Sequence, residues 1–253
     1  MTYHIYAILL AGGIGSRIGG EVPKQFQKLD GHTLAEYSIL RFQRWFQGIS
    51  HVSREKKNFK PESMVMVIHK DYFEYARELY RNYDLLFTQG GENRHDSTKQ
   101  GLIVVKADSE KKQLNFEQVL VFIHDTARPL FLLEDLDRCM EAFLQSPSLG
   151  GISLAAPIHE TVVQKLDTIK PIDRNTLFVI KTPQLLNGRY LELFLKKPTE
   201  IRYTDLLTWC DEHKIPYDIV VSESHNIKIT YKEDFPLVKS LLGLKKYQIE
   251  YEP

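Results

Sequence analysis

Residues 10–26, LAGGIGSRIGGEVPKQF, place Gly12, Gly13, Gly15, Gly19 and Gly20 with Arg17 and Lys24 directly after an apolar run. A glycine-rich turn leaving a strand exposes backbone N–H groups and lets an anion approach without Cβ clashes. Two cations added to such a turn make a cradle suited to a triphosphate. The spacing is not that of a P-loop, because no Ser or Thr follows Lys24. Nor does it fit a dinucleotide fingerprint: the third glycine falls at Gly19, and Pro23 keeps the chain extended before Lys24.

Two more clusters stand where apolar runs end. Gly90-Gly91-Glu92-Asn93-Arg94-His95-Asp96-Ser97 combines paired glycines with polar groups. It reads either as a ligand loop or as a turn with Asp96 or Ser97 capping the next helix. His124-Asp125-Thr126-Ala127-Arg128-Pro129 puts a carboxylate at a strand end. Facing a triphosphate loop, Asp125 is placed to hold Mg²⁺ through one or two oxygens. Arg128 is read as shaping that loop, and His124 as a structural histidine. Shorter groups follow toward the C-terminus: Asp173-Arg174-Asn175, Lys181-Thr182-Pro183-Gln184, Tyr203-Thr204-Asp205 and Asn226-Ile227-Lys228-Ile229-Thr230.

Such groups need a rigid frame. Strand-like runs at 3–10, 64–68, 85–88, 119–124 and 151–155 alternate with helix-like spacing at 33–46, 71–82 and 97–105, and through Leu136, Met140, Phe143 and Leu144. That alternation predicts an α/β, Rossmann-like, mostly parallel sheet with helices on both faces. Ligands of such sheets bind at the carboxyl ends of strands near a topological switch point. The charged stretches 48–63 and 107–117 lack periodicity and read as surface excursions. Residues 157–180 are polar and β-prone, the pattern of an extended hairpin or arm.

The chain has 253 residues, with 33 Lys plus Arg against 33 Asp plus Glu, so no basic field points to nucleic acid. One domain over 1–253 is expected, with the arm protruding from it. No apolar run approaches the roughly 20 residues of a membrane span, no signal pattern opens the chain, and a cytoplasmic protein is expected. Cys139 and Cys210 are isolated and read as buried thiols.

Leu-Ala-Gly-Gly-x-Gly-x-Arg-x-Gly followed by Pro-Lys-Gln-Phe resembles the signature of the methylerythritol-phosphate and pentitol-phosphate cytidylyltransferases. The order and spacing of the later groups resemble that family from about residue 6 to residue 242. The resemblance implies CMP transfer from CTP to a polyol phosphate, with Mg²⁺ and release of pyrophosphate. It implies catalytic roles for Arg17, Lys24 and Lys228. Nucleotide contacts would come from Leu10, Ala11, Gly12, Gly13, Gly15, Gly91, Glu92, Ser97 and Thr126. Thr161, Arg174, Thr182, Thr204 and Lys228 would bind the second substrate. The arm would pack on a second subunit, giving a homodimer in which Arg174 reaches across to the partner's pocket.

Family members usually carry Asp where Glu92 stands, and here Leu206-Leu207 and Val162-Val163 depart from the methylerythritol-phosphate pattern. Asp173-Arg174-Asn175 with Thr182-Pro183-Gln184 resembles that group, which is the acceptor class favoured. Ribitol phosphate or another pentitol phosphate, another nucleotide base, and an inactive nucleotide-binding homologue are the alternatives.

Overall fold

The computed structural model describes residues 2–13, 22–52, 59–196, 203–222 and 225–248, and the side chains of all of these but 49–52. In chain order the elements are β1 (Tyr3–Ala11), β2 (Lys28–Leu29), β3 (His32–Thr33), α1 (Leu34–Val52), β4 (Phe59–Ile68), α2 (Phe73–Leu79), β5 (Leu85–Gln89) and α3 (Arg94–Lys111). Then come β6 (Val119–Asp125), α4 (Leu133–Gln145), β7 (Gly151–Pro157), β8 (Val162–Lys165), β9 (Ile169–Ile172) and β10 (Phe178–Asn187). The chain closes with α5 (Leu191–Leu195), α6 (Leu206–Glu212), β11 (Tyr217–Val221) and α7 (Asp234–Leu242).

Among the described residues the main sheet has seven strands in the order β11-β7-β10-β6-β1-β4-β5. β1 runs parallel to β4 and β6, β4 to β5, and β7 to β11. β10 is antiparallel to both its neighbours. The two-residue side-chain period of β1 divides its apolar residues between two cores. Ile5, Ala7, Leu9 and Ala11 pack with Ala35, Ile39, Phe42 and Trp45 of α1 and Leu136, Met140 and Phe143 of α4. Tyr6 and Ile8 pack on the other face with Leu102 and Val105 of α3 and Leu206 and Trp209 of α6. The expected mostly parallel, doubly covered α/β sheet is therefore present. From β1 the chain moves outward to β4 and β5, then returns to place β6 on the other flank. That reversal puts a switch point at the carboxyl end of β1.

Several boundaries differ from those the periodicity predicts. α3 begins at Arg94 and runs to Lys111, so much of the expected excursion at 107–117 is helix. Its polar end is held by Lys106–Glu110 and Lys112–Asp108 pairs at i,i+4, and Asp108 also takes the Tyr6 hydroxyl at 2.8 Å. Asn93, rather than Asp96 or Ser97, caps it by accepting from the Asp96 amide at 3.0 Å. β4 starts at Phe59, inside the expected excursion at 48–63, because Glu62 is buried against His4 (2.7 Å) and Lys112 (2.9 Å). Within 157–180, β8 and β9 pair as a separate antiparallel hairpin. Its residues Leu166 and Ile169 are 73% and 64% exposed. The last part of that range, from Phe178, already belongs to β10. Both cysteines are buried and free, and burial pushes the Cys210 thiol up to about 12. Among the described residues no helix is long and apolar enough to cross a membrane.

Candidate active site

The carboxyl ends of β1 and β6 are tied together before any functional side chain is placed. Thr126 donates its backbone N–H (3.1 Å) and its hydroxyl (3.0 Å) to the Leu10 carbonyl. Next along β1, the Ala11 carbonyl accepts from the buried Gln25 amide at 2.6 Å. Pro23 is extended, and Lys24–Phe26 form a single 3₁₀ turn. With Gln25 anchored to β1 and Phe26 buried beside Tyr72 and Tyr80, Lys24 is left to reach the Ile229 carbonyl at 2.6 Å.

Gly90 and Gly91 leave β5 and lead into α3. A Cβ on Gly91 would stand 2.3 Å from Asp96 Cβ, so only glycine fits this approach. Its N–H donates to Ser97 Oγ at 3.2 Å, turning that hydroxyl toward Gly12. Arg94, the first residue of α3, extends across the sheet ends to Asp125 Oδ1 at 2.9 Å. Gln184 braces it, accepting from Arg94 Nη2 at 3.3 Å while donating to Ser153 Oγ at 3.1 Å.

Asp125 is the centre of the arrangement. Lys228 Nζ meets its Oδ2 at 2.8 Å, so each carboxylate oxygen faces one cation. Burial works to raise the pKa of this carboxyl, but Arg94 and Lys228 outweigh it and hold it far below the usual carboxylate range. From behind, the Asp125 N–H donates to Thr182 Oγ1 at 3.1 Å. That hydroxyl also contacts His124 Nδ1 (3.1 Å), and His124 Nε2 contacts Ser38 Oγ (3.2 Å). His124 is fully buried, and burial pulls its pKa down to about 3, so the ring is neutral. A neutral imidazole can satisfy both contacts with one proton.

These groups border a cavity of about 550 Å³. Of the residues expected to contact ligand, Leu10, Ala11, Gly12, Gly13, Lys24, Gly91, Glu92, Ser97, Asp125, Thr126 and Lys228 line it together. Lys24, Arg94 and Lys228 give the described wall three cations against the carboxylates of Asp125 and Glu92, a surplus suited to a polyanion. Gly15 and Arg17 lie outside the described residues.

Four expected acceptor contacts stand elsewhere in this chain. Thr182 is 4% exposed and its hydroxyl is turned to Asp125 and His124. Thr204 is exposed, its hydroxyl on Asp205, the N-cap of α6. Thr161 is exposed at the base of the β8–β9 hairpin. Arg174, also exposed, donates to the His159 carbonyl. Conversely, the sequence reading left Arg94 without a role. Its position beside paired glycines at a strand end was the signal available; its partner lies 31 residues away.

Asp125 can also hold a hard cation. Each of its oxygens keeps a lone pair beyond its ion pair. Among the described residues no group of three or more His, Cys, Asp or Glu side chains could surround a metal. A single carboxylate completed by ligand phosphates and water is the donor set Mg²⁺ accepts, so these residues fit it.

The profile of the family described as IspD, 2-C-methyl-D-erythritol 4-phosphate cytidylyltransferase, matches residues 5–243. A 2-C-methyl-D-erythritol 4-phosphate cytidylyltransferase of Leptospira interrogans is 33% identical over 249 residues, 96% of this chain and 94% of that protein. One from Porphyromonas gingivalis is 30% identical over 94% of this chain and 97% of its own length. The crystal structure of 4-diphosphocytidyl-2C-methyl-D-erythritol synthase from Anaerococcus prevotii superposes with a TM-score of 0.70 at 24% identity, covering 96% of this chain and 99% of that one, which shows a shared fold.

Proposed function

We propose, since this chain belongs to the 2-C-methyl-D-erythritol 4-phosphate cytidylyltransferase family, that the cavity around Asp125 is where its reaction takes place. The enzyme transfers a cytidylyl group from CTP to 2-C-methyl-D-erythritol 4-phosphate, a step of isoprenoid precursor synthesis. The observation that carries the site assignment is Asp125 held between Arg94 and Lys228 at the switch point, on the rim of a glycine-walled cavity.

In this reading Gly12 and Gly13 offer backbone to the triphosphate, and Gly91, Glu92 and Ser97 surround the base. An anionic oxygen of the acceptor's phosphate attacks the α-phosphorus of CTP. A new P–O bond forms there as the bond to the β-phosphate oxygen breaks, and pyrophosphate leaves with that electron pair. The attacking phosphate is already anionic, so no general base is required, and the depressed pKa of Asp125 suits a permanent anion rather than a proton carrier. Catalysis then rests on alignment and on neutralising charge. Lys24 does this as a point charge, with Arg17 as a bidentate donor. Lys228 bridges Asp125 and the acceptor phosphate.

Mg²⁺, held by Asp125, would supply Lewis-acid stabilisation of phosphate oxygens. The exposed apolar residues Val163, Leu166 and Ile169 support the β8–β9 hairpin as an arm of a homodimer. Across such an interface Arg174 and Thr161 could complete the partner's acceptor pocket.

Pyrophosphate release tests the reading. With CTP and Mg²⁺, release should require 2-C-methyl-D-erythritol 4-phosphate and stay at background with ribitol 5-phosphate or with UTP in place of CTP. Equal release with ribitol 5-phosphate would overturn the acceptor assignment.

A further inference from the structure

Lys228 sits in a segment, residues 225–230, without helix or strand. No ladder of backbone bonds fixes where its ammonium meets Asp125, and a lysine carries a flexible four-carbon stem. Something else must hold the segment. Asn226, two residues before Lys228, is fully buried and has φ +38°, a left-handed conformation that Asn tolerates better than most residues. Its side-chain Nδ2 donates to the Thr182 carbonyl at 2.7 Å, and its own carbonyl accepts from Arg128 Nη1 at 3.0 Å. Thr182 is the residue whose hydroxyl receives the Asp125 N–H. One amide thus ties the Lys228 segment to the residue that orients the Lys228 partner.

The flanks of the segment are anchored too. The His225 N–H donates to Tyr247 Oη at 2.9 Å, and the Ile229 N–H donates to the Ala127 carbonyl at 2.9 Å. Lys24 closes the circuit on the Ile229 carbonyl. Ile229 is pinned by its own N–H on Ala127, so the Lys24 contact is held apart from Asn226, and Lys228 is the lysine that Asn226 governs.

We infer that Asn226 is a positioning residue for the reaction: its amide bond to Thr182 and its left-handed backbone set the reach of Lys228 to Asp125. The inference rests on the role proposed above for Lys228. A residue that only stabilised the fold would cost activity whether or not Lys228 were present, so the coupling between the two residues is the decisive readout.

The test is a double-mutant cycle on the full chain, measuring kcat/KM for pyrophosphate release. Asn226→Gly keeps a backbone free to adopt φ +38° and removes the amide. It should lower kcat/KM by about 10- to 100-fold, the scale of an ångström-level misplacement of a reacting group. In a Lys228→Ala background the same change should cost less than about twofold, because residues acting as one unit are not additive. An equal factor in both backgrounds, or no effect of Asn226→Gly beside a large effect of Lys228→Ala, would overturn the positioning role alone. Unchanged kcat/KM in Lys228→Ala by itself would instead remove the role of Lys228, and the inference with it. Should Asn226→Gly fail to fold, Asn226→Asp keeps the shape and loses the donor, and the same cycle applies to it.

Discussion

His124 shows how one residue links the site to acid stability. It is buried neutral between Thr182 and Ser38, directly behind Asp125. Burial pulls its folded pKa to about 3, against the opposing charge of Asp125, with the charges of Arg128 and Arg94 lowering it and a backbone hydrogen bond at Arg128 raising it. In the unfolded chain an imidazole titrates near about 6.5. Between those values the unfolded chain binds a proton that the folded one refuses, so stability falls as pH falls from about 6.5 toward 3. The slope from this residue is about 1.4 kcal/mol per pH unit at most. Burial draws His95 down to about 4, the same direction. Asp125, whose folded pKa is depressed, acts lower: its contribution is present above the ordinary carboxylate range and is lost only as pH falls well below it. Thermal midpoints taken from pH 7 to pH 4 should therefore fall less steeply in His124→Gln than in the native chain. Parallel profiles would contradict this assignment. At this scale Lys24 and Asp125 stand at recognisable turns of the sequence, whereas Thr126 and Lys228 were pointed to by the family resemblance alone. The work of Arg94, Thr182 and Asn226 was hidden, since each acts through a partner far along the chain; Asn226, for example, is 44 residues from Thr182.

Among the elements, β1, β6 and α4 were legible because their apolar periods are uninterrupted. β4 and α3 were cut short in the reading for one shared reason: their polar ends are paired with one another. Glu62, Asp108, Lys112, His4 and Tyr6 form one network at the end of the sheet away from the cavity, so residues that look like surface are held inside regular structure. The expected arm took in only the first residues of β10, 178–180, and β11 was not foreseen; within the main sheet, among the described residues, β10 alone runs antiparallel to its neighbours. The β8–β9 hairpin is the element whose surface asks for a partner. Its strands pair only with each other among the described residues, and Leu166 and Ile169 present apolar side chains to solvent. In the homodimer proposed above, the native chain should sediment as a dimer, and Leu166→Asp combined with Ile169→Asp should shift it to monomer with the far-UV spectrum unchanged. A double variant that sediments like the native protein would remove the hairpin from the interface.

For the whole molecule, the governing fact is strand order. Two cores cover the sheet, one on each face, and a third, built from Leu34, Tyr37, Leu130, Ile229, Val238 and Tyr247, seats α7 and the segment carrying Lys228. Arg41 ties these parts together, donating to the carbonyls of Pro129 at 2.7 Å and Tyr247 at 2.6 Å. Groups from residue 24 to residue 228 thereby converge on one cavity although few are near in sequence. The alternation of strands and helices made the fold class readable, while the convergence became visible only in the packed molecule. In the proposed mechanism this convergence places charge for cytidylyl transfer, with Lys24 neutralising the phosphates. The most direct measurement is turnover of Lys24→Ala with CTP, Mg²⁺ and 2-C-methyl-D-erythritol 4-phosphate, alongside its melting temperature. Turnover should fall by about 10²-fold or more, the scale of losing one charge-stabilising group, in a protein that still melts near the native temperature. Near-native turnover in a folded Lys24→Ala would contradict that mechanism.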